Sequence, residues 1–187
     1  MKTLIFIALA IVASVALLVG VVALIGSQLP KTHVASRSIV LQRSPQEVYK
    51  IVRNFESAPK WRADVKHVEV DVRAGGPLFF REDGVNGVVN YELVKDVPGE
   101  LMITRIRDTD LGYSGQWTYT FAPEGGGTRV TIREDGEVSN VLFRFMSRYV
   151  FGHTATMDSY LESLANHFGE NPSIQSVRTF VNLNPAA

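Results

Sequence analysis

The chain has 187 residues, with 19 basic and 19 acidic side chains and no cysteine. A neutral chain with no block of like charge lacks the electrostatic footprint of nucleic-acid binding, and it offers no polybasic patch for lipid headgroups. Absence of Cys removes disulfides and thiol chemistry from consideration and is compatible with either redox compartment.

The first element is apolar. Lys2 is the one charged side chain before Lys31, and Leu4 to Ile25 (LIFIALAIVASVALLVGVVALI) is aliphatic, Ala or Phe except at Ser14 and Gly20. At a rise of about 1.5 Å per residue this run measures about 33 Å, against about 30 Å for the hydrocarbon core of a bilayer. A cleaved signal peptide needs a shorter run and a small-x-small cleavage site, which Ala23 to Pro30 supplies poorly. Residues 1–30 are therefore predicted to be an uncleaved, single-pass anchor that meets the membrane through residues 4–25. Small residues four apart, Ala10/Ser14 and Ala16/Gly20, would let a second helix approach, so a homodimer through the span stays open. Lys31, Arg37 and Arg43 tip the positive-inside balance toward a cytoplasmic domain.

Residues 31–170 are one domain's length, and 171–187 form a tail without pattern. His33–Leu41 is predicted as a strand. Ser44-Pro45-Gln46-Glu47 is a helix start: N-cap, proline in the first turn, and a glutamate closing a capping box. A short helix or turn, broken by Pro59, is predicted from Phe55 to Ala63. Six strand-like stretches follow, at 65–72, 78–81, 85–94, 101–107, 115–121 and 128–138, punctuated by Gly75-Gly76-Pro77, Pro98-Gly99, Pro123 and Gly125-Gly126-Gly127. Such short connections predict an antiparallel meander. Arg81-Glu82-Asp83-Gly84 and its echo Arg133-Glu134-Asp135-Gly136 read as turn chemistry. From Asn140 to Phe168 the spacing switches to three and four (Leu142, Phe145, Met146, Tyr149, Val150, Met157, Tyr160, Leu161, Leu164), predicting one long helix, with a bend at Gly152.

That order predicts an α+β helix-grip fold: an incurved antiparallel sheet of about seven strands wrapped on a long C-terminal helix, preceded by one transmembrane helix. Ser44-Pro45-x-x-Val48, FESAPKW at 55–61, GQWTY at 115–119, GTRVT at 127–131 and Tyr160-Leu161 lie in an order and spacing that resembles the START-like (SRPBCC) superfamily, in its polyketide cyclase/dehydrase branch. The resemblance implies a hydrophobic cavity between sheet and helix for lipids, polyketides or quinones. It implies no single activity, since fold does not choose between carriers and enzymes.

Candidate cavity residues follow from parity. Trp117, Tyr119 and Phe121 share one strand face; Tyr91 belongs to another strand of the expected wall. Phe79 and Phe80 oppose each other, and Phe80 is assigned inward. Trp61 sits near the expected mouth. His153 and Met157 fall on the helix stripe, where His153 is expected to be a core histidine bonded to a strand or a Tyr, not a catalytic group. Glu134 shares parity with Val130 and Ile132, and Arg105, in phase with Leu101 and Ile103, is its expected partner. No catalytic residue, metal ligand or cofactor is assigned. The four histidines are not spaced as ligands, there is no phosphate loop, and there is no nucleophile elbow. Two readings result: a membrane-anchored binding or carrier domain for an apolar small molecule or lipid, or a cyclase/dehydratase-like enzyme in the same cavity. The second needs two ionisable groups converging inside. A chain beginning near Lys31 is expected to be folded and soluble.

Overall fold

The computed structural model describes residues 2–72, 76–85, 87–108 and 110–177. Gly75, Asn86 and the tail beyond 177, including Pro185, lie outside them. Helix α1 (Lys2–Gln28) is long and apolar enough to cross a bilayer. After three linking residues β1 (Thr32–Leu41) begins, and Ser44 opens α2 (Pro45–Arg53). The capping box is present: the Glu47 amide donates to the Ser44 hydroxyl oxygen and the Ser44 amide to the Glu47 carboxylate. A 3₁₀ turn (Phe55–Lys60) leads into the meander β2 (Val65–Val72), β3 (Leu78–Gly84), β4 (Gly87–Val97), β5 (Leu101–Ile106), β6 (Tyr113–Glu124) and β7 (Gly127–Val138). After it come α3 (Val141–Met146), one π-helical turn (Ser147–Phe151), α4 (Ala155–His167) and a two-residue strand β8 (Gln175–Ser176).

The sheet is antiparallel, in the order β2-β3-β4-β5-β6-β7-β1-β8. Short turns make the meander, while β1 returns beside β7 in a register pairing Thr32 with Glu137 and Leu41 with Thr128. Helices α2 and α4 pack against the sheet, α4 on β1 and α2 on β6 and β7. Ile39, Leu41, Val48, Val130, Ile132, Met157, Leu161 and Leu164 are each fully buried there and form the apolar core. Arg37 on β1 ties α4 down through Asp158 (2.7 Å) and Thr154 (2.9 Å).

Three expectations are corrected. The long helix is two: Gly152 has φ +75°, a conformation that an L side chain rarely adopts, and it ends the π turn before α4 starts. Only the second half of the apolar stripe, from Met157, faces the core; Leu142, Tyr149 and Val150 are exposed. Neither REDG segment is a turn, because β3 runs on to Gly84 and β7 passes through Arg133–Gly136 without a break.

Candidate functional site

Where α4 stops covering the sheet, a cavity of about 440 Å³ opens between the strands and the α3–π-turn segment. Phe80 (β3), Tyr91 (β4), Thr104 (β5), Trp117 and Tyr119 (β6) wall it. Phe55 stacks on Phe80 at 3.9 Å and Phe80 on Tyr91 at 4.9 Å, so the 3₁₀ turn and two strands form one aromatic column. Behind the wall, Tyr160 of α4 meets Trp61, Trp117 and Tyr119 at centroid distances of 5.2, 5.9 and 5.7 Å. Burial pushes the Tyr91, Tyr119 and Tyr160 hydroxyls well above the usual phenol value, so all three stay protonated.

Two polar clusters face this apolar wall. In the first, the Arg62 guanidinium lies 2.7 Å from Asp64 and 2.9 Å from Glu82, and over the Tyr160 ring at 5.0 Å. Burial pulls the Arg62 pKa down, but the Glu82 charge and the Asp64 hydrogen bond more than offset this, and it remains a cation. Burial also raises Glu82, against the pull of Arg62. In the second cluster, His33 of β1 stacks on His153 at 4.1 Å with its Nε2 3.7 Å from Glu134 Oε1. Burial, and then the His33 ring, hold His153 below the usual imidazole value, with Glu134 opposing them. Gly136 makes room: a Cβ there would lie 2.4 Å from His33 Cε1.

Six sequence candidates line the cavity: Phe80, Tyr91, Trp117, Tyr119, Glu134 and His153. Trp61 and Met157 pack behind it, Trp61 against Tyr160 and Met157 in the core. Arg105 is corrected. It faces outward and pairs with Glu92 at 3.0 Å, because Met102 and Thr104, not Leu101 and Ile103, are the inward residues of β5. The partner of Glu134 is instead His33. His153 is likewise no core histidine; it is half-buried and stacks on the ring of His33 from β1.

Arg62, Asp64, Glu82 and His33 escaped the sequence reading. Glu82 sits two residues beyond inward Phe80, so a longer β3 would have revealed it. His33 shares parity with Ile39 and Leu41. Each REDG segment thus delivers one glutamate to the cavity from the middle of a strand. No group of side chains able to hold a metal ion occurs among the described residues.

The model of the family "polyketide cyclase / dehydrase and lipid transport" matches residues 32–169. No curated protein matches the sequence. Among solved structures, a START superfamily protein from Mycobacterium smegmatis is 18% identical with a TM-score of 0.59, over 72% of this chain and 96% of its own. Norcoclaurine synthase from Thalictrum flavum is 12% identical with a TM-score of 0.59, over 75% of this chain and 88% of its own. The di-domain aromatase/cyclase StfQ of the steffimycin biosynthetic pathway is 15% identical with a TM-score of 0.57, over 74% of this chain and 52% of its own. At these identities the likeness is one of fold.

Proposed function

The chain belongs to the polyketide cyclase/dehydrase and lipid transport family, and from that premise we propose that it is a membrane-anchored binding protein for an apolar small molecule or lipid. The cavity carries this reading. Its volume of about 440 Å³ falls within the range of about 300–1,000 Å³ usual for small-molecule sites, and aromatic walls with a few polar groups are the usual lining of such sites. Phe80, Tyr91, Trp117 and Tyr119 supply contact area; Glu134 and His153 orient a polar end. Charge narrows the class further. Asp64, Glu82, Glu134 and Glu137 line the cavity beside Arg62, which already has two carboxylate partners. A neutral or cationic ring system suits that wall better than a fatty-acid anion.

The test uses the full chain in lipid nanodiscs, titrated with a neutral polycyclic fluorophore and its carboxylated analogue. Saturable one-to-one binding of the neutral probe is expected, with weaker binding of the anion. Trp117→Ala should weaken the neutral probe about tenfold, about 1.4 kcal/mol, and Val89→Trp should block it by filling the cavity. Absence of saturable binding, or Val89→Trp binding as parent does, would remove the reading.

A second reading, a polyketide cyclase/dehydratase-like enzyme, draws support from the meeting of His33, His153 and Glu134 inside one cavity. A carboxylate beside one imidazole, with a second held neutral, is a usable general-base arrangement. Turnover of a polyketide or acyl substrate that is lost in His33→Ala and His153→Ala, with probe binding retained, would put this reading first.

A further inference from the structure

We propose that α3 and the π turn lie in the headgroup region of the same bilayer that α1 spans, so that the cavity opens on lipid rather than on bulk water. The proposal rests on reading α1 as a membrane span. Along α1 the side chains are exposed until its last two turns, where Val22, Ala23 and Gly26 become half-buried or buried, followed by Leu29 just beyond the helix. Spacings of three and four place these on one face, and that face meets α3. A Cβ on Gly26 would lie 2.3 Å from the Val141 carbonyl oxygen. Nη1 of Arg144 donates to the Leu29 carbonyl at 2.9 Å, satisfying an acceptor at the end of the span. The apolar run ends at Ile25, and Val22 lies about 4.5 Å further in along the axis. A helix packed against these turns is carried to interfacial depth by the contact itself.

Its chemistry suits that depth. Leu142, Phe143, Tyr149 and Val150 are 43–59% exposed, a clustering of large apolar side chains uncommon on a water-facing surface. From Val138 to Met157 there is no carboxylate, while Arg148 is exposed; Arg144 is buried on the Leu29 carbonyl. Exposed aromatic and aliphatic groups beside an exposed arginine are what an interfacial segment presents to acyl chains and anionic headgroups. Phe143 and Ser147 also line the cavity, so the surface that meets lipid is the surface beside its mouth.

The absence of cysteine makes the test direct. Single replacements Leu142→Cys and Val150→Cys, with Val19→Cys in the span and Lys66→Cys on β2 as references, are labelled with an environment-sensitive fluorophore. The full chain is reconstituted in phosphatidylcholine/phosphatidylglycerol nanodiscs with or without brominated acyl chains. Labels at 142 and 150 should show blue-shifted emission quenched by the brominated lipid, as at 19, whereas 66 stays unquenched. Quenching at 19 with 142 and 150 behaving like 66 would overturn the proposal and leave the span intact. No quenching at 19 would overturn the span and the proposal together. Shielding at 142 and 150 without lipid quenching, growing with the number of copies per disc, would show a second copy covering the segment, which also overturns it.

Discussion

At the scale of single residues, the two polar clusters make opposite demands on the apolar wall they face. Arg62 is held by two carboxylates and a ring, and its side chain is 11% exposed. Replacing it with Met would leave Glu82 buried beside Asp64 without a counter-charge, at a cost of about 3–5 kcal/mol in unfolding free energy; denaturant titration reads it. Adding Glu82→Gln to Arg62→Met should recover part of that loss, because the orphaned charge is then gone. His153 is linked to pH. Its native pKa lies below the ordinary imidazole value, so the folded chain binds fewer protons than the unfolded one on the acid side. The stability it contributes is fully present above about pH 6.5 and is lost as pH falls through the native value. His33→Ala removes part of the burial and a like-charged neighbour, both of which depress the value. The His153 ring resonances should then titrate at higher pH; an unchanged midpoint would show that His33 has no part in it.

At the scale of elements, the packing of β1 on β7 depends on an absent side chain. Gly136→Ala puts a Cβ into the His33 ring and should cost about 1–3 kcal/mol through overpacking. In a His33→Ala background the same change should cost far less, so a double-mutant cycle between the two positions is expected to be strongly non-additive. If the costs simply add, the ring does not occupy the space left by the glycine. This level also shows what the sequence disclosed. Segment order, the capped start of α2 and the strand positions were legible because each has a local signal: a capping box, a two-residue alternation, a turn residue. The inward face of β5 was misjudged because Leu101, Ile103 and Met102 are all apolar; alternation carries no phase when both faces are greasy. In the stripe from Leu142 to Val150, spacing reports that a face is apolar, not what covers it. Of the cavity, the aromatic wall was legible from strand parity. The pairings of Arg62 and His33 were not, because they join elements far apart in sequence (Glu82 is 20 residues from Arg62 and Glu134 about 100 from His33).

At the scale of the whole molecule, no residue of α1 belongs to the apolar core of the domain. A chain beginning at Lys31 should therefore keep its sheet and far-ultraviolet circular dichroism. It would also lose the Leu29 carbonyl that Arg144 holds and uncover α3, so it should self-associate on size exclusion or adhere to anionic vesicles. A monomer indifferent to vesicles would show that α3 needs no cover. The join between α1 and the sheet has a mechanical consequence. Gln28 ends α1 and Thr32 begins β1, leaving Leu29, Pro30 and Lys31 between them, so the two ends lie no more than about 14 Å apart even when the link is fully extended. In the proposed orientation this is a stiff mount, not a leash. A domain so mounted would not swing out to a facing membrane or trail a partner through solution; a ligand bound there would come from, and return to, the leaflet beneath it.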